Sequence, residues 1–209
     1  MSSSFPAING ITELAEKGVQ RRYNAFTLLI QEGDLGDTLY IILSGKLRAF
    51  SSGERGKEIT LGVFGAGDYV GEMALDGGPR SANVQTLVPT VCSVVSRDTL
   101  RSHIASHPDF ALEMMSRLIR RARLATESVR SLALIDTYGR LTRLLDQLAT
   151  SQHDGTRVVL DRLTHLDIAS HVACSREMIS RLLKDLEAGG YLAIVDRRMV
   201  ILKPFPARW

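Results

Sequence analysis

The feature that most constrains the fold is a long segment that contains no residue that breaks helices. No glycine or proline occurs between Pro108 and Gly139, and most residues there favour helix formation. We therefore predict one long helix, with its hinge, over residues 108–137. The sequence on its two sides follows different patterns, so we expect a different kind of structure on each side.

Before the long helix the chain consists of short apolar and β-branched runs between about Val19 and Val95. Clusters of Gly and Asp, such as QEGDLGD and GAGD, separate these runs. The pattern is typical of an antiparallel barrel or sandwich, preceded by a short helix at ITELAEKG. We therefore place a β-barrel domain at residues 1–107.

After the long helix we expect a second domain at residues 138–209, which makes the fold class α+β. Its pattern indicates a helix, a polar loop, a short strand (TRVVL), two short helices and a hairpin. This domain carries eleven Lys/Arg against eight Asp/Glu, whereas residues 1–137 carry fifteen of each. The whole net charge of +3 thus lies in the last third, which favours an anionic partner.

The composition excludes several classes of protein. With 44% hydrophobic and 23% charged residues, the 209-residue chain is ordinary for a globular protein. No apolar run approaches the roughly 18 residues of a membrane span, and the start MSSSFPAING lacks the regions of a secretory signal. We expect a cytoplasmic protein without a membrane partner.

No metal site is apparent in the sequence. Cys92 and Cys174 lie far apart without CxxC or Cys/His spacing, so we expect two buried thiols. The histidines form no obvious ligand set: they are His103, His107, His153, His165 and His171.

The long helix shows the spacing of a coiled-coil seam. The seam residues step by four and three: Ala111, Met115, Leu118, Ala122, Ala125, Val129 and Leu132. A second stripe, which includes Phe110, Met114 and Ile119, is expected to face the barrel. The alternative is one wide stripe buried against its own domain. We prefer the seam, and with it a homodimer.

Two short helices in the C-terminal domain have the pattern of a helix-turn-helix. Thr164 and Asp167 form a predicted capping box at the start of the first helix, and Ser175 is expected to cap the second. The N-terminal residues of such a second helix enter the major groove, where arginine matches guanine and glutamate accepts from cytosine. The predicted DNA-reading residues are Ser175, Arg176, Glu177, Ser180 and Arg181. The hairpin that follows makes the motif a winged one.

The stretch GEMALDGGPRSA, residues 71–82, holds more glycine and proline than a turn requires. Together with CSREMISRLLKDLE and LALIDTYGRL, it resembles the Crp–Fnr family of bacterial transcription regulators, and the resemblance covers essentially the whole chain. It implies a cyclic-nucleotide-binding jelly roll, a long dimerisation helix and a winged helix-turn-helix. It also implies a homodimer that reads TGTGA-like half-sites in double-stranded DNA.

The resemblance further implies a ligand site. Arg80 would bind the cyclic phosphate together with Ser81 and the start of a short helix, and Glu72 would accept from the ribose 2′-hydroxyl. The residues implied at the site are Gly71, Glu72, Met73, Ala74, Arg80, Ser81, Ala82, Leu61 and Thr126. Ala125 stands where cyclic-AMP-binding members of the family have a hydroxyl, so the resemblance implies the phosphate and ribose contacts but does not fix the base. Cyclic AMP is the first choice, and cyclic GMP and cyclic di-GMP are the alternatives.

Other functions remain to be weighed against this one. A ligand-independent or redox-responsive regulator would keep the DNA-reading helix, and a nucleotide-binding subunit of an enzyme would lack it. An enzyme needs a metal cluster or a paired acid and base, and none is found in the sequence. RNA polymerase is an expected partner, although the loop SQHDGT is shorter than its counterpart in the family.

Overall fold

The computed structural model describes residues 10–53, 58–152 and 155–206, except for the side chain of Ala74. Residues 153 and 154, in the loop SQHDGT, lie outside the described part. The described chain divides into two compact units, one of Met1–Ser52 with Thr60–Ala125 and one of Gly53–Ile59 with Thr126–Trp209. Each unit has its own core.

Within its described residues, the first unit contains eight strands in two four-stranded sheets. The strands are β1 (Val19–Tyr23), β2 (Leu28–Ile30), β3 (Thr38–Ser44), β4 (Lys46–Ser52), β5 (Glu58–Gly65), β6 (Tyr69–Val70), β7 (Asn83–Thr86) and β8 (Thr90–Ser96). One sheet has the order β1-β8-β3-β6 and the other β2-β7-β4-β5. The jelly-roll prediction is confirmed, with two sheets in place of a closed barrel.

Two apolar cores cover the two faces of the first sheet. Alternate residues of a strand point to opposite faces, so Ile41 and Ile42 of β3 belong to different cores. Ile42 packs between the sheets with Leu47 and Val84. Ile41 packs on the other face against helix α1 (Ile11–Glu16), helix α2 (Arg97–Ser106) and the start of the long helix.

The predicted long helix is confirmed as α3 (Pro108–Leu134). It begins directly after His107, the C-cap of α2, because proline is favoured in the first turn of a helix. Helix α2 was not predicted as a separate element. No helix in the described ranges is long and apolar enough to cross a lipid bilayer.

The second unit packs three helices on a four-stranded sheet. Its elements are α4 (Thr137–Leu148), β9 (Ala149–Ser151), β10 (Arg157–Val159), α5 (His165–Val172), α6 (Arg176–Ala188), β11 (Leu192–Val195) and β12 (Arg198–Ile201). The sheet order is β11-β12-β10-β9. The core joins α4, α5 and α6 to the sheet through residues such as Leu141, Ile168 and Leu186. The winged helix-turn-helix prediction is confirmed.

Candidate functional site

The stretch 71–82 forms a sharp turn, a short 3-10 helix and a loop. Gly71 follows β6 with a φ of 93°, a conformation that disfavours other residues, and the 3-10 helix spans Glu72–Asp76. A Cβ added at Gly71 would lie 2.8 Å from both the carbonyl oxygen of Thr38 and Nη1 of Arg80. Glycine is therefore required here for close approach as well as for its backbone angle.

Arg80 is buried, with 7% of its surface exposed. Its Nη1 donates to the carbonyl oxygens of Thr38 (3.0 Å) and Gly71 (2.9 Å), and its Nη2 donates to Thr38 Oγ1 (3.0 Å). A Cβ added at Gly36 would lie 2.9 Å from Nη2 and 3.1 Å from Nε. The edge of the guanidinium that carries Nε therefore faces a position without a side chain.

Backbone hydrogen bonds fix the loop that carries Arg80. The amide of Arg80 donates to the carbonyl of Asp34, and the amide of Gly33 donates to the carbonyl of Arg80, both at 2.8 Å. Ser81 is exposed, and its hydroxyl lies 3.2 Å from Sδ of Met73. Gly71, Glu72, Arg80 and Ser81 thus lie in one connected segment, as the resemblance implies.

Glu72 forms an ion pair with Arg121 of α3, a partner that the sequence did not reveal. The side chains are 7% and 17% exposed, respectively. Nη2 of Arg121 also donates to the carbonyl oxygen of Tyr69 at 2.8 Å, and its guanidinium lies over the rings of Phe64 and Tyr69. This pair joins the 3-10 helix directly to the long helix.

A second ion pair, between Asp68 and Arg117, is almost completely buried. Arg117 Nη1 lies 3.2 Å from Asp68 Oδ1, and the side chains are 1% and 5% exposed. Burial raises the pKa of Asp68 and lowers that of Arg117, because both charged forms lose water. The other carboxylate oxygen of Asp68 accepts from the amide of Gly65 at 3.0 Å.

The second stripe of α3, which was predicted to face the barrel, is only partly correct. Phe110 and Met114 are buried as expected, but Ile119 is 54% exposed. The buried face continues through Arg117 and then Arg121, which follow Met114 at helical spacing, whereas Ile119 lies on another face. A stripe chosen by apolar character alone missed the two charged residues.

The remaining residues implied at the ligand site lie on several elements. Leu61 is 57% exposed on β5, and Ala82 is half-buried just before β7. Thr126 is exposed on α3, in the part of that helix that belongs to the second unit. Ala74 lies in the 3-10 helix.

The helix-turn-helix has the predicted caps. Thr164 and Asp167 form the capping box of α5, and the hydroxyl of Ser175 accepts from the amide of Met178 at 3.2 Å at the start of α6. Arg176, Glu177 and Arg181 are exposed on α6. Hydrogen bonds from its own backbone amide and from the Ser175 hydroxyl hold the pKa of Glu177 below its usual range, so Glu177 is a carboxylate acceptor at neutral pH.

Ser180 differs from the other predicted DNA-reading residues because it is only half-exposed. Its hydroxyl lies 2.8 Å from Nδ1 of His165, at the start of α5. This bond links the two helices of the motif. At the tip of the wing Asp196 and Arg197 have φ values of 49° and 62°, and Arg197 and Arg198 are exposed.

The predicted seam residues lie on the exposed surface of α3. Met115 is 50% exposed, Leu118 37%, Val129 65% and Leu132 40%. Ala122 and Ala125 are exposed between them, and Ala111 is half-buried. The residues that the structure describes therefore leave this apolar stripe of α3 uncovered.

The two cysteines are free thiols. Cys92 is buried on β8, and burial raises its pKa to about 11, so the nucleophilic thiolate is scarce at neutral pH. Cys174 is only half-buried in the turn between α5 and α6, which corrects the expectation that both thiols are buried.

The comparisons with known proteins agree with this architecture. Residues 20–107 match the cyclic nucleotide-binding domain, and residues 139–205 match the Crp-like helix-turn-helix domain. A β-sheet sensor domain, a long helix and a helix-turn-helix in this order define a class of DNA-binding transcription regulators. Among proteins of this class, the chain belongs to the Crp–Fnr family.

The chain is 33% identical to the CRP-like cAMP-activated global transcriptional regulator of Mycobacterium tuberculosis over 81% of its length and 78% of that protein. It is 30% identical to the cAMP-activated global transcriptional regulator Vfr of Pseudomonas aeruginosa, over 94% and 95% of the two chains. The fold is similar to that of the c-di-GMP responsive global regulator CLP of Xanthomonas campestris, with a TM-score of 0.83, 27% identity, and coverage of 93% and 99%. The prediction of a transcription regulator rather than an enzyme is confirmed.

Proposed function

We propose that this chain forms a homodimer that binds a palindromic TGTGA-like site in DNA in response to a cyclic nucleotide, with cyclic AMP as the ligand. The observation that carries the proposal is the placement of Arg80. Three hydrogen bonds hold Nη1 and Nη2 of its guanidinium, and the edge that carries Nε and Nη2 faces Gly36. A cation fixed in this way is preorganised for an anion.

The cyclic phosphate would bind at that edge of Arg80. Adjacent N–H groups of a guanidinium match two oxygens of a phosphate, and such bidentate bonds are stronger than those between neutral groups. The hydroxyl of Ser81 and the backbone at the start of the 3-10 helix would add further donors to the phosphate. Met73 and Ala74 belong to this start.

The ribose would bind at Glu72. The ion pair with Arg121 uses Oε1, and Oε2 has no partner among the residues that the structure describes. Oε2 would therefore accept a hydrogen bond from the ribose 2′-hydroxyl while Arg121 stays in place. Ligand binding would thus affect α3 through the existing ion pair between Glu72 and Arg121.

The base is assigned to adenine on the names of relatives. The Mycobacterium tuberculosis and Pseudomonas aeruginosa regulators are named as cAMP-activated, whereas the Xanthomonas campestris regulator is named as c-di-GMP responsive. Leu61 and Ala82 would line the base. Cyclic GMP and cyclic di-GMP are the alternatives, and the buried thiol of Cys92 does not favour a redox-responsive regulator.

The seam of α3 would hold two chains together. Its exposed apolar side chains repeat at coiled-coil spacing, and a partner helix would bury them. A nucleotide would favour one of two arrangements of the dimer, to the extent that it binds them with different affinity. The change would reach α4 through its cap, where Asp136 accepts from the amide of Gly139 at 2.7 Å.

The first turns of α6 would read the DNA. Arg176 and Arg181 would donate to guanine edges, and Glu177 would accept from a cytosine amino group. Ser175 caps the helix, and Ser180 is engaged by His165, so we assign both to positioning the helix. Arg197 and Arg198 on the wing would contact phosphates, and RNA polymerase remains a predicted partner.

The proposal is tested by calorimetric titration of the chain with cyclic AMP, cyclic GMP and cyclic di-GMP. We expect cyclic AMP to bind most tightly and Arg80→Lys to weaken it at least about tenfold, because lysine keeps the charge but lacks the planar fork. Arg22→Lys, an exposed change on β1, is the control and should bind as the wild type does. Equal affinity of the Arg80→Lys and wild-type chains would refute this ligand site.

A further inference from the structure

Three side chains outside the candidate nucleotide site come together where α1 meets the end of α2. They are Glu13 of α1, His103 of α2 and His107, the C-cap of α2. One ligand atom from each lies within 4.8 Å of the other two. The sequence offered one signal for this cluster: His103 and His107 are four residues apart, which places them on one face of a helix.

The contact between His107 and Glu13 has the spacing of two ligands of one metal ion. Nε2 of His107 lies 3.3 Å from Oε2 of Glu13. Two ligands at about 2.1 Å from a tetrahedral ion lie about 3.4 Å apart. His107 is 44% exposed and Glu13 60%, so an ion reaches them from solvent.

The other ring nitrogen of His107 has the partners that metal-bound imidazoles commonly have. Nδ1 lies 3.3 Å from the carbonyl oxygen of His103 and 3.0 Å from the hydroxyl of Ser106. The carbonyl can only accept, so Nδ1 donates to it, and with an ion bound the lone pair of Nε2 would face the ion on the side of Glu13. A hydrogen bond of this kind orients the ring of a metal-binding histidine.

His103 contributes a completely buried imidazole whose Nδ1 faces a cation. The ammonium of Lys17 lies 3.0 Å from Nδ1, and because an ammonium can only donate, Nδ1 presents its lone pair there. Lys17 is exposed on the surface beside α1 and can move into solvent. The proton of the neutral ring is therefore on Nε2, a buried atom that packs beside Gly10.

We propose that Glu13, His103 and His107 bind a divalent transition-metal ion of the zinc class. Two imidazoles and a carboxylate suit zinc, nickel or cobalt, and they offer too few oxygens for calcium or magnesium. The ion displaces the ammonium of Lys17 from His103. The two imidazole rings are stacked with centroids 4.5 Å apart, and His107, the exposed one, turns to meet the ion.

The proposed metal site lies next to the start of the long helix, in the first unit. His107 directly precedes Pro108, where α3 begins, and Glu13 belongs to α1, which packs on the sheet core. A bound ion therefore ties α1 to the origin of the long helix. Metal binding therefore gives the first unit a second regulatory signal, which does not depend on the contacts of Arg80 or Glu72.

The site is tested with the full chain, stripped of metal and titrated with zinc by calorimetry and with cobalt by visible absorption. We expect one ion to bind with the d–d bands of nitrogen and oxygen ligands. His107→Ala and Glu13→Gln should each weaken zinc at least about tenfold, while Lys17→Met should tighten it because the competing cation is gone. These three variants leave the buried ring of His103 in place, so folding is preserved.

His171→Ala, a change in α5 of the other unit, is the control and should leave the affinity unchanged. Absence of zinc binding by the wild-type chain would overturn the proposal. Binding that His107→Ala leaves intact would place the ion elsewhere and would overturn it as well. Weaker binding by the Lys17→Met chain would show that Lys17 supports the cluster rather than competing for it, which also contradicts the proposal.

Discussion

Two buried arginines of the first unit differ in what surrounds their charge. Arg80 meets no carboxylate in the described residues, and backbone carbonyls and a hydroxyl hold its guanidinium. Arg117 is neutralised by Asp68 beside it. A buried charge without a counter-ion is costly unless a ligand supplies one, so Arg80 has the character of a binding residue and Arg117 that of a structural residue.

The pair of Asp68 and Arg117 yields a prediction about stability. Arg117→Met should lower the free energy of unfolding by about 3–5 kcal/mol, because it leaves the Asp68 carboxylate buried without its partner. Adding Asp68→Asn to this change should restore part of the loss. Urea unfolding of the two variants and the wild type measures both effects.

The free energy of unfolding that Arg117→Met loses should depend on pH in a definite direction. Burial raises the pKa of Asp68, and loss of Arg117 raises it further, so the folded variant retains its proton where the unfolded chain releases it. The stability of Arg117→Met should therefore fall as the pH rises above about 4, and its deficit should shrink below that pH. A deficit that is independent of pH would show that the lost packing of Arg117, and not the charge of Asp68, is its cause.

Local chemistry decides which single residues the sequence reveals. The caps Thr164 and Ser175 depend on neighbours in the chain, and the sequence predicted both helix starts correctly. The partners Arg121 of Glu72 and Arg117 of Asp68 come from a helix some fifty residues away. Charged residues in an amphipathic helix are read as exposed, so sequence patterns could not assign them to the buried face.

At the scale of elements, α3 has two faces with different tasks. One packs on the first unit through Phe110, Met114 and the two arginines, and the other carries the exposed apolar seam. A helix that buried one wide apolar stripe in its own unit would leave no such seam. The exposure of Leu118 and Val129 therefore favours the predicted partner helix.

A charge in the seam should separate the two chains. Leu118→Glu is expected to shift the proposed dimer to a monomer in sedimentation velocity, because the two glutamates of a dimer would be desolvated and close together. Leu124→Glu is the matched control, since Leu124 is 43% exposed but lies outside the seam spacing. A wild-type chain that sediments as a monomer, or equal dissociation of both variants, would contradict the seam.

Helix α6 yields a prediction about base recognition. Arg181→Ala should reduce the preference for a TGTGA palindrome over random DNA by about 1–3 kcal/mol, because a bidentate contact to guanine is lost. Lys184→Ala, an exposed residue later in α6, is the control and should affect both DNAs alike. Gel-shift titration at fixed salt measures the ratio, and an equal loss on both DNAs for Arg181→Ala would reduce its role to a phosphate contact.

Elements with a strong pattern were predicted well, and short polar ones were not. The apolar runs of β3, β4 and β8 became strands close to the expected positions. In contrast, β1 (VQRRY) is mostly exposed and does not alternate, and β6 has two residues, so neither gives a periodic signal. Pairing with β8 and β3 makes them strands, and such tertiary pairing is absent from local sequence.

At the scale of the whole molecule, the proposed function requires a ligand site in one unit to control a DNA-reading helix in the other. Both carry sequence patterns specific enough to be recognised, and the family assignment agrees with them. The transmission between them depends on how two chains rearrange. This rearrangement depends on the difference in free energy between two states of the dimer. Local sequence patterns do not reveal that difference.

The direct test is the affinity for a fluorescent TGTGA palindrome, measured by anisotropy with and without saturating cyclic AMP. We expect cyclic AMP to tighten DNA binding of the wild-type chain by about 5–150-fold, a coupling of about 1–3 kcal/mol. No such change is expected for the Arg80→Lys chain, whose DNA affinity should stay at the value measured without ligand. The central claim, that cyclic AMP controls DNA binding, would be contradicted if the wild-type chain had equal DNA affinity with and without cyclic AMP. This comparison is made under conditions where calorimetry shows the ligand bound.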